Sequence, residues 1–110
     1  MNEKIINALI ELGYPIKADK YTGQEKTYFV FNYADIRGAE FADDEPGIEL
    51  YSIQVHFFTD YPFDYTKLIK SVKRKLHGAG FSWPSSQVLY ENDTNKIHIV
   101  FTCEIGEGNG

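Results

Sequence analysis

The sequence is poor in cysteine, in long apolar runs and in positive charge, and each shortage excludes a class of protein. Its single cysteine, Cys103, cannot form an internal disulfide, and its alternating apolar surroundings predict a small buried side chain. No apolar run is long enough for a membrane span, and the first ten residues lack a signal-peptide core, so we expect a cytosolic chain. The net charge of -5 disfavours nucleic acid as the main partner, because phosphate binding needs a basic surface.

What is present suits a small domain with segregated charges. With 110 residues, eight tyrosines and eight phenylalanines, the chain can fill one core, so residues 1–110 are expected to form a single domain. Five of the eleven basic residues lie within nine positions: Lys67, Lys70, Lys73, Arg74 and Lys75. Five of the sixteen acids lie within ten positions: Glu40, Asp43, Asp44, Glu45 and Glu49. The two clusters have opposite charge and can attract each other.

Hydrophobic periodicity predicts the elements. Helices are expected at 3–12 and from Pro62 to Gly78, strands at 26–35, 48–59, 87–90 and 96–105, a short extended piece near Ile16, a projecting loop at 36–47 and a flexible tail at 106–110. The fold class that follows is α+β, a mostly antiparallel sheet of four to five strands with two helices packed on one face. The other face is expected to be half polar, with Asn32, Ser52, Gln54, His56, His98, Thr102 and Glu104.

Little in the sequence points to catalysis or to a cofactor. His77 ends the second predicted helix, where a cation is favourable, and is expected to act as a cap. If their strands pair, His56 and His98 could approach each other with Glu104 nearby as a metal ligand set, although interface hydrogen bonds explain the same positions. We therefore expect a protein that is not an enzyme and that has no cofactor and no metal.

The two charge clusters each leave alternatives open. Asp43, Asp44 and Glu45 lack the ligand spacing of a calcium loop, which favours a solvated or partner-facing segment. The basic helix face can be solvated, can contact an acidic protein surface or can contact DNA, and no aromatic stacking motif accompanies it.

Four segments resemble a known family. They are YFVFNY at 28–33, AEFADDEP at 39–46, SIQVHFF at 52–58 and AGF at 79–81. Together they resemble the tail terminator proteins of siphophages and prophages of Gram-positive bacteria, also called tail completion or tail-to-head joining proteins. The likeness runs from about residue 28 to residue 104, and the order of the elements is also similar.

The resemblance implies a structural function. It implies a homo-oligomeric ring, usually a hexamer, that caps the tail tube, ends its polymerisation and joins it to the head connector. The implied partners are further copies, the tail tube protein and the head-tail connector protein, without a membrane and with at most transient DNA contact in the ring lumen. The implied location is the virion tail, and the host cytoplasm during assembly.

The charge clusters suggest how such a ring closes. Contacts between two different surfaces of one chain generate rings, so we expect an acidic interface set, Glu40, Asp43, Asp44 and Glu45, to face Lys70, Lys73 or Arg74 of a neighbour. The alternative from another class is a monomeric regulatory or peptide-binding module that captures a partner strand with its long loop or an open sheet edge.

Overall fold

Alternating apolar side chains and two amphipathic helices build this α+β chain around one sheet. The computed structural model describes residues 1–42 and 45–108, apart from the side chains of residues 40–42, 45 and 46. In chain order the elements are α1 (Asn2–Leu9), a 3-10 turn (Ile10–Leu12), β1 (Ile16–Ala18), β2 (Tyr28–Ala42), β3 (Glu45–Asp60), α2 (Tyr65–Gly78), β4 (Ser85–Glu91) and β5 (Lys96–Gly108). The sheet order is β1-β2-β3-β5-β4.

The α+β class, with five strands and two helices, is confirmed, but the sheet is mixed and not mostly antiparallel as expected. β2, β3, β5 and β4 pair antiparallel, whereas β1 runs parallel to β2 and pairs with residues 29–31. A parallel pair needs a connection that carries the chain back to the start of the next strand, and residues 19–27 provide it. A three-residue strand has too short a pattern for its direction to be predicted from sequence.

Both helices pack on the same face of the sheet. In α1, Ile5 and Leu9 are fully buried one turn apart, and the 3-10 turn ends at Gly13, whose φ of 87° is left-handed. The predicted helix at 3–12 is thus an α-helix followed by a 3-10 turn. Within the described ranges, neither helix has the length and hydropathy needed to cross a bilayer.

The core lies between the helices and this face of the sheet. Each large apolar side chain buried there contributes about 1.5–3 kcal/mol. Its members are Ile5, Leu9, Ile16, Phe29, Phe31, Ile53, Val55, Phe57, Leu68, Val72, Leu76, Phe81, Ile97, Ile99, Phe101, Cys103 and Ile105. On β3 and β5 they follow the predicted alternation, which is thereby confirmed.

The expected loop at 36–47 is wrong over most of its length. β2 continues to Ala42 and β3 begins at Glu45, so that the two strands form a long hairpin. Cross-strand pairing holds glycine and charged residues in extended conformation there, although their intrinsic strand propensity is low. The hairpin extends about six residues, or about 20 Å, beyond the last core row at Tyr51 and Ile105.

Three boundaries near α2 and the C-terminus differ from the prediction. Pro62 follows a cis peptide bond and precedes the helix, which begins at Tyr65 with Asp64 as its N-cap. β4 is longer than predicted and spans Ser85–Glu91. Residues 106–108, expected to begin a flexible tail, belong to β5 and pair with residues 48–50 of β3, and residues 109–110 lie outside the described part.

The N-cap of α2 yields a stability prediction. The Asp64 carboxylate accepts hydrogen bonds from the Thr66 backbone N–H at 3.3 Å and from the Thr66 hydroxyl at 2.9 Å. Asp64→Ala should lower the free energy of unfolding by about 1 kcal/mol, because the first-turn N–H loses its acceptor. Urea denaturation measures the change, and Asp64→Asn is the control that keeps the cap. Equal losses in both variants would contradict the capping role.

Candidate functional site

The face of the sheet opposite the helices is the first candidate surface, and we call it the open face. Both helices bury their apolar sides in the core on the other face, so no helix of the described residues covers the open face. Its side chains are partly buried by one another; they include Tyr28, Asn32, Gln54, His56, Phe58 and His98. The expected half-polar face is therefore present.

An aromatic row crosses this face from strand to strand. Tyr28 of β2, Phe58 of β3 and His98 of β5 are register partners, and their rings stack with centroids 5.2 and 4.2 Å apart. Tyr21, in the connection before β2, stacks on Tyr28 at 4.1 Å. Four flat rings in line provide a continuous apolar platform on which a partner surface can pack.

Next to this row, a directed hydrogen-bond chain joins three strands. His98 Nε2 lies 2.8 Å from His56 Nδ1, and His56 Nε2 lies 2.8 Å from Asn32 Oδ1. Asn32 Nδ2 in turn donates to Gln54 Oε1 at 3.3 Å. Because an amide oxygen only accepts, His56 carries its proton on Nε2, and its Nδ1 accepts the N–H of His98. The chain uses both imidazoles in their neutral form.

The surroundings favour these neutral forms. Burial lowers the pKa of His56 below its usual value, and the neighbouring His98 lowers it further. Burial also lowers the pKa of His98, against the opposing effect of Glu91. Protonation of both imidazoles sets His56 Nδ1–H against His98 Nε2–H, two donors without an acceptor, so acidification breaks the chain at its centre.

These lowered pKa values predict a pH dependence of stability. The unfolded histidines titrate near pH 6.5 and the folded ones below it, so the unfolded state binds more protons in that window. The free energy of unfolding should be highest above about pH 6.5 and should fall as the pH drops below it. Urea denaturation at pH 7.5, 6.5 and 5.5 measures this fall.

Matched variants separate the pair from other groups. The double variant His56→Gln with His98→Gln should flatten the dependence, whereas His77→Gln, an exposed histidine, should leave it unchanged. A slope that persists in the double variant would show that the pair does not cause it.

The metal hypothesis fails on geometry, because Glu104 lies far from the two histidines. Glu104 pairs with Ser52 in the register, whereas His98 lies six residues away along β5, about 20 Å. Among the residues described, no three His, Cys, Asp or Glu side chains are grouped as metal ligands.

Glu104 instead belongs to a polar cluster on the open face. Its Oε1 accepts from the Ser52 hydroxyl at 2.8 Å and from Arg37 Nη2 at 3.3 Å, and Asp35 accepts from Arg37 Nη1 at 2.9 Å. The bond from Ser52, and then those from Arg37, lower the pKa of Glu104 against the opposing effects of burial and Asp35. A register shift between Tyr33 and Asp35 turns the following residues over, which puts Arg37 on the open face.

The basic residues of α2 form the second candidate surface. The helix Tyr65–Gly78 contains no acidic residue, and Lys67, Lys70 and Arg74 are exposed while Lys73 is half-buried. Lys75 bonds Glu11 at 3.1 Å, so one charge of the five serves an internal contact. The remaining four have no ion-pair partner within the described residues and can meet an external anionic surface.

The acidic interface set falls largely outside what the structure describes. Asp43 and Asp44 lie outside the described residues, and Glu40 and Glu45 are described by their backbone alone, within β2 and β3. The last described register pair of the hairpin is Ala42 with Glu45, at its far end. The expected contact of this set with Lys70, Lys73 or Arg74 of another copy stays a prediction.

Cys103 is confirmed as a buried side chain, 3% exposed in the core. Burial raises the pKa of its thiol to about 12, so the reactive thiolate is scarce at neutral pH.

A surface that sequence reasoning missed is the outer strand β4. All seven of its residues are exposed, although Val88, Leu89 and Tyr90 are large and apolar. Its alternation indicated a strand, but only the sheet order, with β4 last, reveals that it lies at an edge.

An open groove of about 760 Å³ lies between the 3-10 turn and the connection to β2. Its lining includes Ile10, Tyr14, Gln24, Glu25 and Lys26. Glu25 and Lys26 are both exposed, so no buried polar group specifies a ligand there.

Comparison with known proteins adds no assignment to these surfaces. No protein-family model matches the chain, and no curated protein matches it.

Proposed function

We propose that the chain is a structural subunit of a siphophage or prophage tail. In this proposal copies of the chain form a hexameric ring that caps the tail tube, stops its polymerisation and joins it to the head connector. It acts without catalysis or cofactor, in the host cytoplasm during assembly and then in the virion tail.

The observation that carries the proposal is the amount of contact surface on so small a chain. A ring subunit at the end of a tube needs two lateral surfaces for its neighbours and further surfaces for the tube and the connector. The open face, the protruding β2–β3 hairpin, the basic side of α2 and the exposed strand β4 offer four such surfaces.

The positions of the resembling segments also support it. Segment 28–33 begins β2 and segment 52–58 lies in β3, and the two are paired in register from Tyr28 with Phe58 to Tyr33 with Ile53. Together they supply the rings of Tyr28, His56 and Phe58 and the side-chain amides of Asn32 and Gln54 on the open face. The likeness thus covers one continuous surface and not only buried positions.

A tube-capping assay tests the proposal. Tail tube protein from the same phage or prophage genome is polymerised with and without the purified chain, and tube lengths are measured by electron microscopy. We expect short tubes with the chain at one end and no further growth when tube protein is added. Tubes that grow to the same length with and without the chain would contradict the proposal.

A peptide-binding module is the second candidate, favoured by the exposed edge of β4. An extended peptide can add to such an edge through main-chain hydrogen bonds. This function predicts a chain that stays monomeric at every concentration and leaves tube growth unchanged.

A further inference from the structure

Exposed apolar side chains are concentrated around β4. Val88 is 39% exposed, Leu89 40% and Tyr90 48%. Tyr61 and Trp83 beside the strand are each 55% exposed, and the Tyr61 ring packs edge-on against Tyr90 with centroids 5.6 Å apart. Five large apolar side chains on and beside one strand, with Val88 and Tyr90 on the helix side and Leu89 on the open face, indicate a surface that is covered in an assembly.

The helix side of the sheet continues without a break onto this strand. Val88 is the register partner of Ile99, which is fully buried, and Tyr90 is the partner of Ile97, which is 2% exposed. The apolar face therefore runs from the core to the sheet edge, where the helices no longer cover it.

β4 also has few of the features that keep an edge strand from pairing, because its one charged residue, Glu91, stands at its end. Its sequence, SSQVLYE, has no lysine, proline or glycine, and its register with β5 is regular from Ser85 to Glu91. Natural monomers usually carry such protective features on exposed edges. Their absence makes β4 a strand ready to accept a neighbour.

The opposite end of the sheet has a second open edge. β1 pairs with residues 29–31 of β2 and leaves the outer side of β2 beyond them without a strand, as far as the structure is described. Ile36 lies on this stretch and is 52% exposed. It is the register partner of Tyr51, a residue that packs against the core, so Ile36 faces the helix side.

We infer that β4 of one copy adds to the edge of β2, around Ile36, in the next copy. The inference rests on the proposed function and names the surface that closes the ring. It joins two different edges of the same sheet, and such a head-to-tail contact is the kind that generates a ring.

Strand direction and facing agree with this contact. Within one chain β4 runs antiparallel to β2, because three successive antiparallel pairings separate them. In a ring whose axis runs along the strands, the rotation that relates one copy to the next preserves the direction of every strand. β4 of one copy therefore meets β2 of the next copy antiparallel. Val88 and Ile36 then both lie on the helix side, where each covers the exposed apolar surface of the other.

Cysteine cross-linking tests the contact. Val88→Cys and Ile36→Cys proteins are mixed and treated with a short bismaleimide, which spans directly opposed and diagonal positions about 5–8 Å apart. Cys103 can remain, since its pKa of about 12 leaves little reactive thiolate. Glu3→Cys, at an exposed site on α1, is the control for random collisions.

We expect covalent dimers from the mixture, at least tenfold more than from either variant alone or from either one mixed with Glu3→Cys. Dimers from Val88→Cys alone would overturn the inference in favour of β4 pairing with itself. A ring-sized mass by light scattering without a link between positions 36 and 88 would overturn the inference and leave the proposed ring intact. A monomeric mass without any link, both with and without tail tube protein, would overturn both.

Discussion

Phe57→Ala is expected to lower the free energy of unfolding by about 3–5 kcal/mol. Phe57 is fully buried on the helix side of β3, where its ring contacts those of Tyr14, Phe29 and Phe63 at centroid distances of 5.4, 4.9 and 5.5 Å. Removal of the ring leaves a cavity between helix and sheet that these three neighbours cannot fill. Since a small domain is stable by about 5–15 kcal/mol, the loss is a large part of the total.

The next residue in the chain is the matched control. Phe58 has the same side chain on the same strand but lies on the open face, partly exposed. Phe58→Ala removes stacking on Tyr28 and His98 and should cost about 0.5–1.5 kcal/mol. Urea denaturation of both variants measures the two losses. Equal losses in the free energy of unfolding for Phe58→Ala and Phe57→Ala would show that the open face is covered as fully as the helix side, which would contradict this account.

Reversal of three charges on α2 is expected to impair assembly strongly. The triple variant Lys70→Glu, Lys73→Glu and Arg74→Glu replaces attraction to the acidic hairpin by repulsion across every subunit junction. Each exposed ion pair contributes only about 0–1 kcal/mol, but a ring repeats the junction at every subunit. At protein concentrations at which the unaltered chain forms the ring, light scattering of the triple variant should give the mass of the monomer.

Charge complementation decides whether the acidic hairpin is the partner of this helix. Asp43→Lys and Asp44→Lys, introduced into the same chain as the triple variant, should restore the ring. A mixture of two different variants is therefore not needed. The control variant Lys4→Glu, Lys17→Glu and Lys20→Glu makes the same change of net charge at exposed positions outside α2 and should still assemble. Loss of the ring in this control would attribute the effect to net charge and not to the helix.

The sequence was sufficient to predict the core but not the lengths of the strands. Alternation along β3 and β5 identified the buried side of each, since a strand with one covered face must alternate. The hairpin was missed because residues 36–42 are extended through pairing with β3 and not through their own propensity. The parallel direction of β1 depends on the path of residues 19–27, which carry no periodic signal.

The candidate surfaces depend on how the strands pair, and the sequence predicted them only in part. His56 and His98 were expected to approach each other if their strands paired, and they do. Glu104 was expected nearby because it shares their face, but the distance along β5 separates it from them. The exposed edge of β4 required the sheet order, which no local pattern contains.

The solution mass of the purified chain, measured by light scattering over a range of protein and salt concentrations, tests the central claim most directly. The chain has a mass of 12.6 kDa. The proposal predicts a single larger species of about six times this mass that forms as concentration rises and is only partly loosened by salt, because apolar contact at β4 holds it together. A mass of one chain at every concentration, both with and without tail tube protein, would contradict it.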